Sequence, residues 1–324
     1  FRRVLFRSLR NCIYFVLKEM VNMNIIEIRS DKIYKKIMDA PINKKEDIYR
    51  YELMKPFEFK WKCMNVPIVA RQKGGYDVII ASEMLGVLSP KDIDEKQKKN
   101  INVLSADKIW GTCKETIENS INAFIKEGYD LNIKDYKYSI LLANPNSPYT
   151  ILSDGYWGDG GIPGYIFLSL VPNEYTINRL PVLIAHECNH NIRFQFIEWN
   201  NNITLEEMMI NEGLAENFAT WMFGEEMLGP WVSRTDIETL NTYIKPIIKS
   251  ALKETGFQNI TSYLYGDDIA KMQGYFPVGL PYCAGYACGY YMIKYYLEKT
   301  NKSIIEATLL PYSEIIEAVK EFWE

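Results

Sequence analysis

Histidine is the scarcest residue type here, with two in 324 residues. The chain also lacks any apolar run of the ~18–20 residues that a membrane-spanning helix needs, so no membrane partner is expected. No lysine/arginine stripe stands out against a formal net charge of −4, and nucleic acid is not an expected partner without that cationic footprint. Six cysteines are scattered with no Cys-x-x-Cys pair. A chain this long needs no disulfide framework, so these read as reduced core thiols of a cytoplasmic protein. Repeats and low-complexity linkers are absent. Residues 1–22 resemble a translated adapter end rather than a signal peptide, with the natural start expected at Met20 or Met23.

What is present is ample core material, 48% hydrophobic residues, and 23 tyrosines. The spacing predicts a short helix over 47–54, a strand over 57–61, a helix over 76–85 and an exposed loop over 89–100. Apolar residues at helical spacing from Ile109 to Ile125 predict an amphipathic helix over 106–127, closed by Gly128. Two short strands are expected at 138–143 and 165–171. Five glycines between 154 and 164 read as a mobile loop. Beyond Pro181 the pattern is helical: 179–199, 204–223, 235–254, 283–299 and 312–322. The fold class is therefore α+β, a small mixed sheet followed by a helical bundle.

Both histidines fall in one segment, His186-Glu187-Cys188-Asn189-His190. Two histidines placed at random in this chain would be four apart about 0.6% of the time, so composition does not explain the pair. At about 3.6 residues per turn, positions i and i+4 bring both imidazoles to one ion. Zinc takes nitrogen ligands and, in catalytic sites, keeps a position open for water. Glu187 stands about 100° round the helix, beside the metal, where it can act as general base. Cys188 reads as packing.

A third ligand must come from elsewhere. The helix opening at Thr204 carries Asn211-Glu212-Gly213-Leu214-Ala215-Glu216. Glu212 and Glu216 share a stripe with Leu205, Met208, Met209, Ala219 and Phe223, and buried carboxylates are costly unless paired or metal-bound. Glu212 is the expected third ligand. Glu216 is then the carboxylate that orients one histidine, with Asn211 in support. The alternative assignment exchanges Glu212 and Glu216, and the competing structural reading pairs them with Arg179 or Arg193. Glu206 and Glu207 are expected to face solvent.

The His-Glu-x-x-His helix followed by Asn-Glu-x-x-Ala-Glu resembles the gluzincin metallopeptidases of thermolysin type. The run 182–223, with Tyr286-Ala287-Cys288-Gly289-Tyr290 downstream, is more similar to a bacterial family of predicted zinc-dependent proteases of unknown function. That resemblance extends over most of 23–324. It implies zinc, a base at Glu187 and a ligand at Glu212, but no particular substrate. It also implies a division into an N-terminal α/β subdomain over 23–104 and a zincin-like catalytic domain over 105–324. The sequence departs from the thermolysin pattern in lacking a further histidine to stabilise the oxyanion. Tyr286, then Tyr282 and Tyr275, or Arg193, are the candidate donors in its place. A peptide or protein substrate would add as a strand to an exposed sheet edge, expected at 165–170, with 154–164 as a lid. The alternative function is a zinc-holding binding or regulatory protein without turnover.

Overall fold

The computed structural model describes residues 23–200 and 202–324. The reading of residues 1–22 as an adapter-like lead lies outside them. The expected α+β class is borne out by one four-stranded mixed sheet and a larger helical part. The strands are β1 (Asn24–Glu27), β2 (Asp135–Leu142), β3 (Tyr156–Asp159) and β4 (Tyr165–Leu170). Among the described residues, five helices have ten or more residues: α1 (Ser30–Asp39), α2 (Asp107–Lys126), α3 (Glu174–Arg193), α4 (Leu205–Phe223) and α5 (Ala284–Thr300).

The sheet order is β1-β2-β4-β3. The first two pairings are parallel, and β3 runs antiparallel along β4, with Gly158 opposite Leu168. Strand β4 is therefore interior, and β3 is one edge, with β1 at the other. This corrects two expectations, because 165–170 is not the exposed edge and the glycine-rich 154–164 is not simply a loop. Two of its glycines, Gly158 and Gly160, permit a close approach. A Cβ on Gly158 would lie 2.4 Å from the Glu187 carboxylate, and one on Gly160 would lie 2.3 Å from the Glu187 carbonyl. The edge strand can lie against α3 only because those side chains are missing.

Helix α3 starts earlier than its apolar pattern indicates. Asn173 and Thr176 form a reciprocal capping box, whose N-cap Asn173 lies eight residues ahead of Pro181. Pro181 removes one backbone donor within the helix, but the turns on either side persist. Helix α4 begins at Thr204 as expected, in a capping box with the Thr204 hydroxyl accepting from Glu207 N–H and the Glu207 carboxylate accepting from Thr204 N–H. It is buried on nearly every face as far as Thr220. Glycines set its approach to α5: a Cβ on Gly213 would meet the Gly289 carbonyl at 2.2 Å. The small residues thus bring the tyrosine-rich helix against the helix of Glu212, not against that of the histidines. Asn217 ties the pair, donating to the carbonyls of Gly213 and Tyr290.

Other expectations change too. Residues 42–63 are helical almost throughout, including the predicted strand at 57–61. Phe57, Lys60 and Trp61 are buried while Phe59 is 60% exposed, which is a helical face and not a strand alternation. Within 89–100 there are short 3₁₀ turns and the start of a helix, Lys98–Leu104. Cys113, Cys188, Cys283 and Cys288 are buried as expected, but Cys63 is exposed. None of the described helices is long and apolar enough to cross a membrane.

Candidate metal centre

Helices α3 and α4 bring His186, His190 and Glu212 together in the buried interior. The two Nε2 atoms stand 3.1 Å apart, and Glu212 Oε2 is 3.3 Å from each. Three ligands about 2.0–2.1 Å from a tetrahedral zinc would be separated by about 3.3–3.4 Å, so the observed triangle is close to one face of such a site. Three lone-pair-bearing atoms this close repel unless a cation or protons lie among them. The donor set, two imidazoles and a carboxylate, suits zinc. The residues present therefore fit the metal.

The hydrogen bonds behind the triangle fix one tautomer. Glu216 Oε2 lies 2.8 Å from His186 Nδ1. The same carboxylate accepts from the Gly229 amide and the Trp231 indole, each at 2.8 Å. An acceptor held by those two donors takes a third from His186, so Nδ1 carries the proton and Nε2 turns its lone pair inward. Sequence spacing left open which histidine Glu216 meets; it is His186. Trp231 went unnoticed in the sequence, although its ring packs 5.9 Å from the His186 ring and 5.5 Å from that of Tyr156. Gly229 and Trp231 lie beyond the end of α4, where no spacing rule links them to Glu216.

Glu187 stands beside the triangle, not in it. Its Oε2 accepts from the Gly160 amide at 2.7 Å, at the end of β3. Burial pushes its pKa up, the neighbouring His186 and His190 draw it back down, and Asp159 adds to the rise. Glu212 behaves in the opposite way. Burial alone would raise it, but His190 and His186 outweigh that and hold it at about 2. In the metal-free protein His186 titrates well above an ordinary histidine: burial opposes its charge, and Glu212 and Glu216 more than compensate.

The remaining candidates divide. Tyr286 and Tyr282 line the cavity that opens over the triangle, joined by Tyr149 and Tyr265, which no motif marked. Tyr275 is not among the lining residues. Arg193 is turned away: its Nε donates to Asn211 Oδ1 at 2.7 Å, and Nη1 to the carbonyls of Thr308 and Leu310. Its position one turn after His190 suggested an oxyanion donor, but these acceptors and the Tyr312 ring under its guanidinium hold it elsewhere. Asn211 lines the cavity and anchors Arg193 and Tyr312. Glu206 is buried rather than solvent-facing, paired with Lys253 at 2.6 Å.

A helix presenting two histidines and a flanking glutamate, joined by a carboxylate from the next helix, defines a candidate metal centre. The chain belongs to the family described as "Predicted Zn-dependent protease (DUF2268)", which matches residues 109–317. It is similar to the "Uncharacterized protein YjfC" of Bacillus subtilis (strain 168), with 38% identity over 295 residues, 91% of this chain and 97% of that protein. No solved structure matches.

Proposed function

We propose that this chain is a zinc-dependent peptidase in which Glu187 serves as general base. The observation that carries the reading is the placement of Glu187: buried, adjacent to the ligand triangle, outside it, and with one oxygen held by Gly160 N–H. His186, His190 and Glu212 would hold the zinc, with Glu216 fixing His186. When bound, zinc supplies Lewis acidity, polarising a carbonyl and making water easier to deprotonate. Glu187 receives the proton at its carboxylate and returns it to the departing amine; its raised pKa suits both halves of that task. The Gly160 amide keeps the carboxylate from swinging onto the metal.

Tyr286 is the proposed donor to the developing oxyanion. Burial raises its pKa well above that of an ordinary tyrosine, and the negative Glu212 raises it further, so the phenol keeps its proton. The outer side of β3 is the proposed rail for the peptide backbone, since β4 occupies its other side. A zinc site without turnover needs neither a free carboxylate beside the ligands nor a cavity of about 610 Å³ above them.

A peptide-library digest comparing zinc-loaded wild type with Glu187→Gln tests this. Cleavage by wild type alone, with equal zinc content in both proteins, is expected. Equal cleavage by both, or by neither, contradicts the mechanism.

A further inference from the structure

The cavity over the metal triangle has a composition that its catalytic role does not require. One wall is a run of aromatic rings beginning at a candidate ligand. His190 stacks on Phe194 with the ring planes 7° apart, Phe194 meets Trp199 edge-on at 5.6 Å, and Trp199 stacks on Phe257 at 6.0 Å. The last two rings are 38% and 42% exposed, and both line the cavity. Large aromatic faces left uncovered beside a buried site are an incomplete hydrophobic contact. Met208, Leu183 and Ile269 continue the apolar lining.

The charges argue against an acidic side chain or a free carboxylate in the cavity. Among the described lining residues there is no lysine or arginine, while Asp159, Glu187 and Glu212 are present. Among the described residues, three cations meet lining residues through an ion pair, a hydrogen bond or a ring face, and each is engaged. Lys60, fully buried, pairs with Asp159 at 2.7 Å. Arg193 is bound to Asn211 and to main-chain carbonyls. Arg234 lies over the Tyr282 ring, with its guanidinium paired to Asp154 and donating to the Leu152 carbonyl. A site that removes C-terminal residues needs a free cation for the terminal carboxylate, and a site for acidic side chains needs one as well. No described lining residue meets that need.

We infer that the cavity binds a bulky uncharged side chain, aromatic or large aliphatic, next to the scissile bond. The peptide around it runs on beyond the cavity and does not end there in a free carboxylate. This rests on the peptidase reading and adds the substrate class to it. Trp199 and Phe257 are the residues that set the preference, through contact with that side chain.

The test uses zinc-loaded protein and octapeptides acetylated at one end and amidated at the other, differing at one position as Phe, Leu, Gly or Glu. Cleavage of the Phe and Leu peptides at least about tenfold faster than the Glu peptide is expected, with no gain from a free C-terminal carboxylate. Trp199→Ala should narrow the Phe-over-Gly preference by about 2- to 10-fold, mainly through KM. Equal cleavage of the Glu peptide, a requirement for a free carboxylate, or an undiminished Phe preference in Trp199→Ala would each overturn the inference. If no peptide is cut, the peptidase reading fails, and calorimetry on Glu187→Gln protein decides this inference separately. Tighter binding of the Phe peptide than of the Glu peptide supports it; equal or absent binding overturns it.

Discussion

Two regions meet at Glu187: the pair of helices α3 and α4 below the cavity, and the short strand β3 beside it. The helices carry ionisable groups that are costly to bury, and each is matched by a partner. Glu212 faces both histidines, and Glu216 takes up His186, Gly229 and Trp231. Among the strand's side chains, Asp159 adds to the rise in the Glu187 pKa. The rest of the strand's part is the absence of Cβ atoms at Gly158 and Gly160 and one backbone donor aimed at Glu187. The helical region works by charge compensation and the strand by close approach, so one is sensitive to loss of polar groups and the other to added volume.

The sharpest test of that division is at the residue they share. Glu187→Gln keeps the volume and the contact with Gly160 but removes the proposed base. Its kcat should fall by about 10²–10⁴-fold, with zinc content, read by atomic absorption, unchanged. Next in size, Glu216→Ala should weaken zinc binding by about 10–100-fold in a chelator competition, because His186 loses the group that fixes its tautomer. A wild-type zinc affinity in that variant would mean that the hydrogen bonds behind the triangle are incidental.

On the strand side, Gly158→Ala should cost about 1–3 kcal/mol in a denaturant titration, since the new methyl would overlap Glu187. Gly161→Ala, whose nearest neighbour would be 3.9 Å away, should cost little. Equal effects at the two glycines would remove the close-approach account.

The last effect is that of pH, read per unit. In the metal-free protein the His186 pKa is raised, so the stability its proton provides is full below about pH 6.5 and is lost as pH rises through the folded value. Zinc must displace that proton. Zinc affinity should therefore rise with pH, by about tenfold per unit for each proton released, until the folded pKa is passed. Calorimetry in buffers of differing ionisation heat counts those protons.

The same contrast explains how much could be read in advance. The helical region announces itself through periodicity: two histidines four apart, two glutamates on an apolar stripe, and capping boxes at local offsets. The strand does not, because a glycine in an extended segment and a glycine in a loop have the same one-dimensional signature, and only the neighbouring helix distinguishes them. Strand β1 was missed because its four residues show no buried alternation. Phe57, Phe59 and Trp61 misled because a two-residue spacing also contains an i, i+4 pair. Arg193 follows His190 by about one turn, but the carbonyls of Thr308 and Leu310 that claim it lie over a hundred residues away. Tyr149, Tyr265 and Trp231 reach the cavity from three separate segments, a convergence that chain order does not encode.

The central claim is that His186, His190 and Glu212 form one zinc site with Glu187 free beside it. A crystal structure of the zinc-loaded protein, with anomalous data at the zinc edge, tests it directly. One ion within about 2.2 Å of His186 Nε2, His190 Nε2 and a Glu212 oxygen is expected, with the Glu187 carboxylate uncoordinated. An ion held by Glu187 or Glu216 in place of Glu212, or none bound between the histidines, would contradict it.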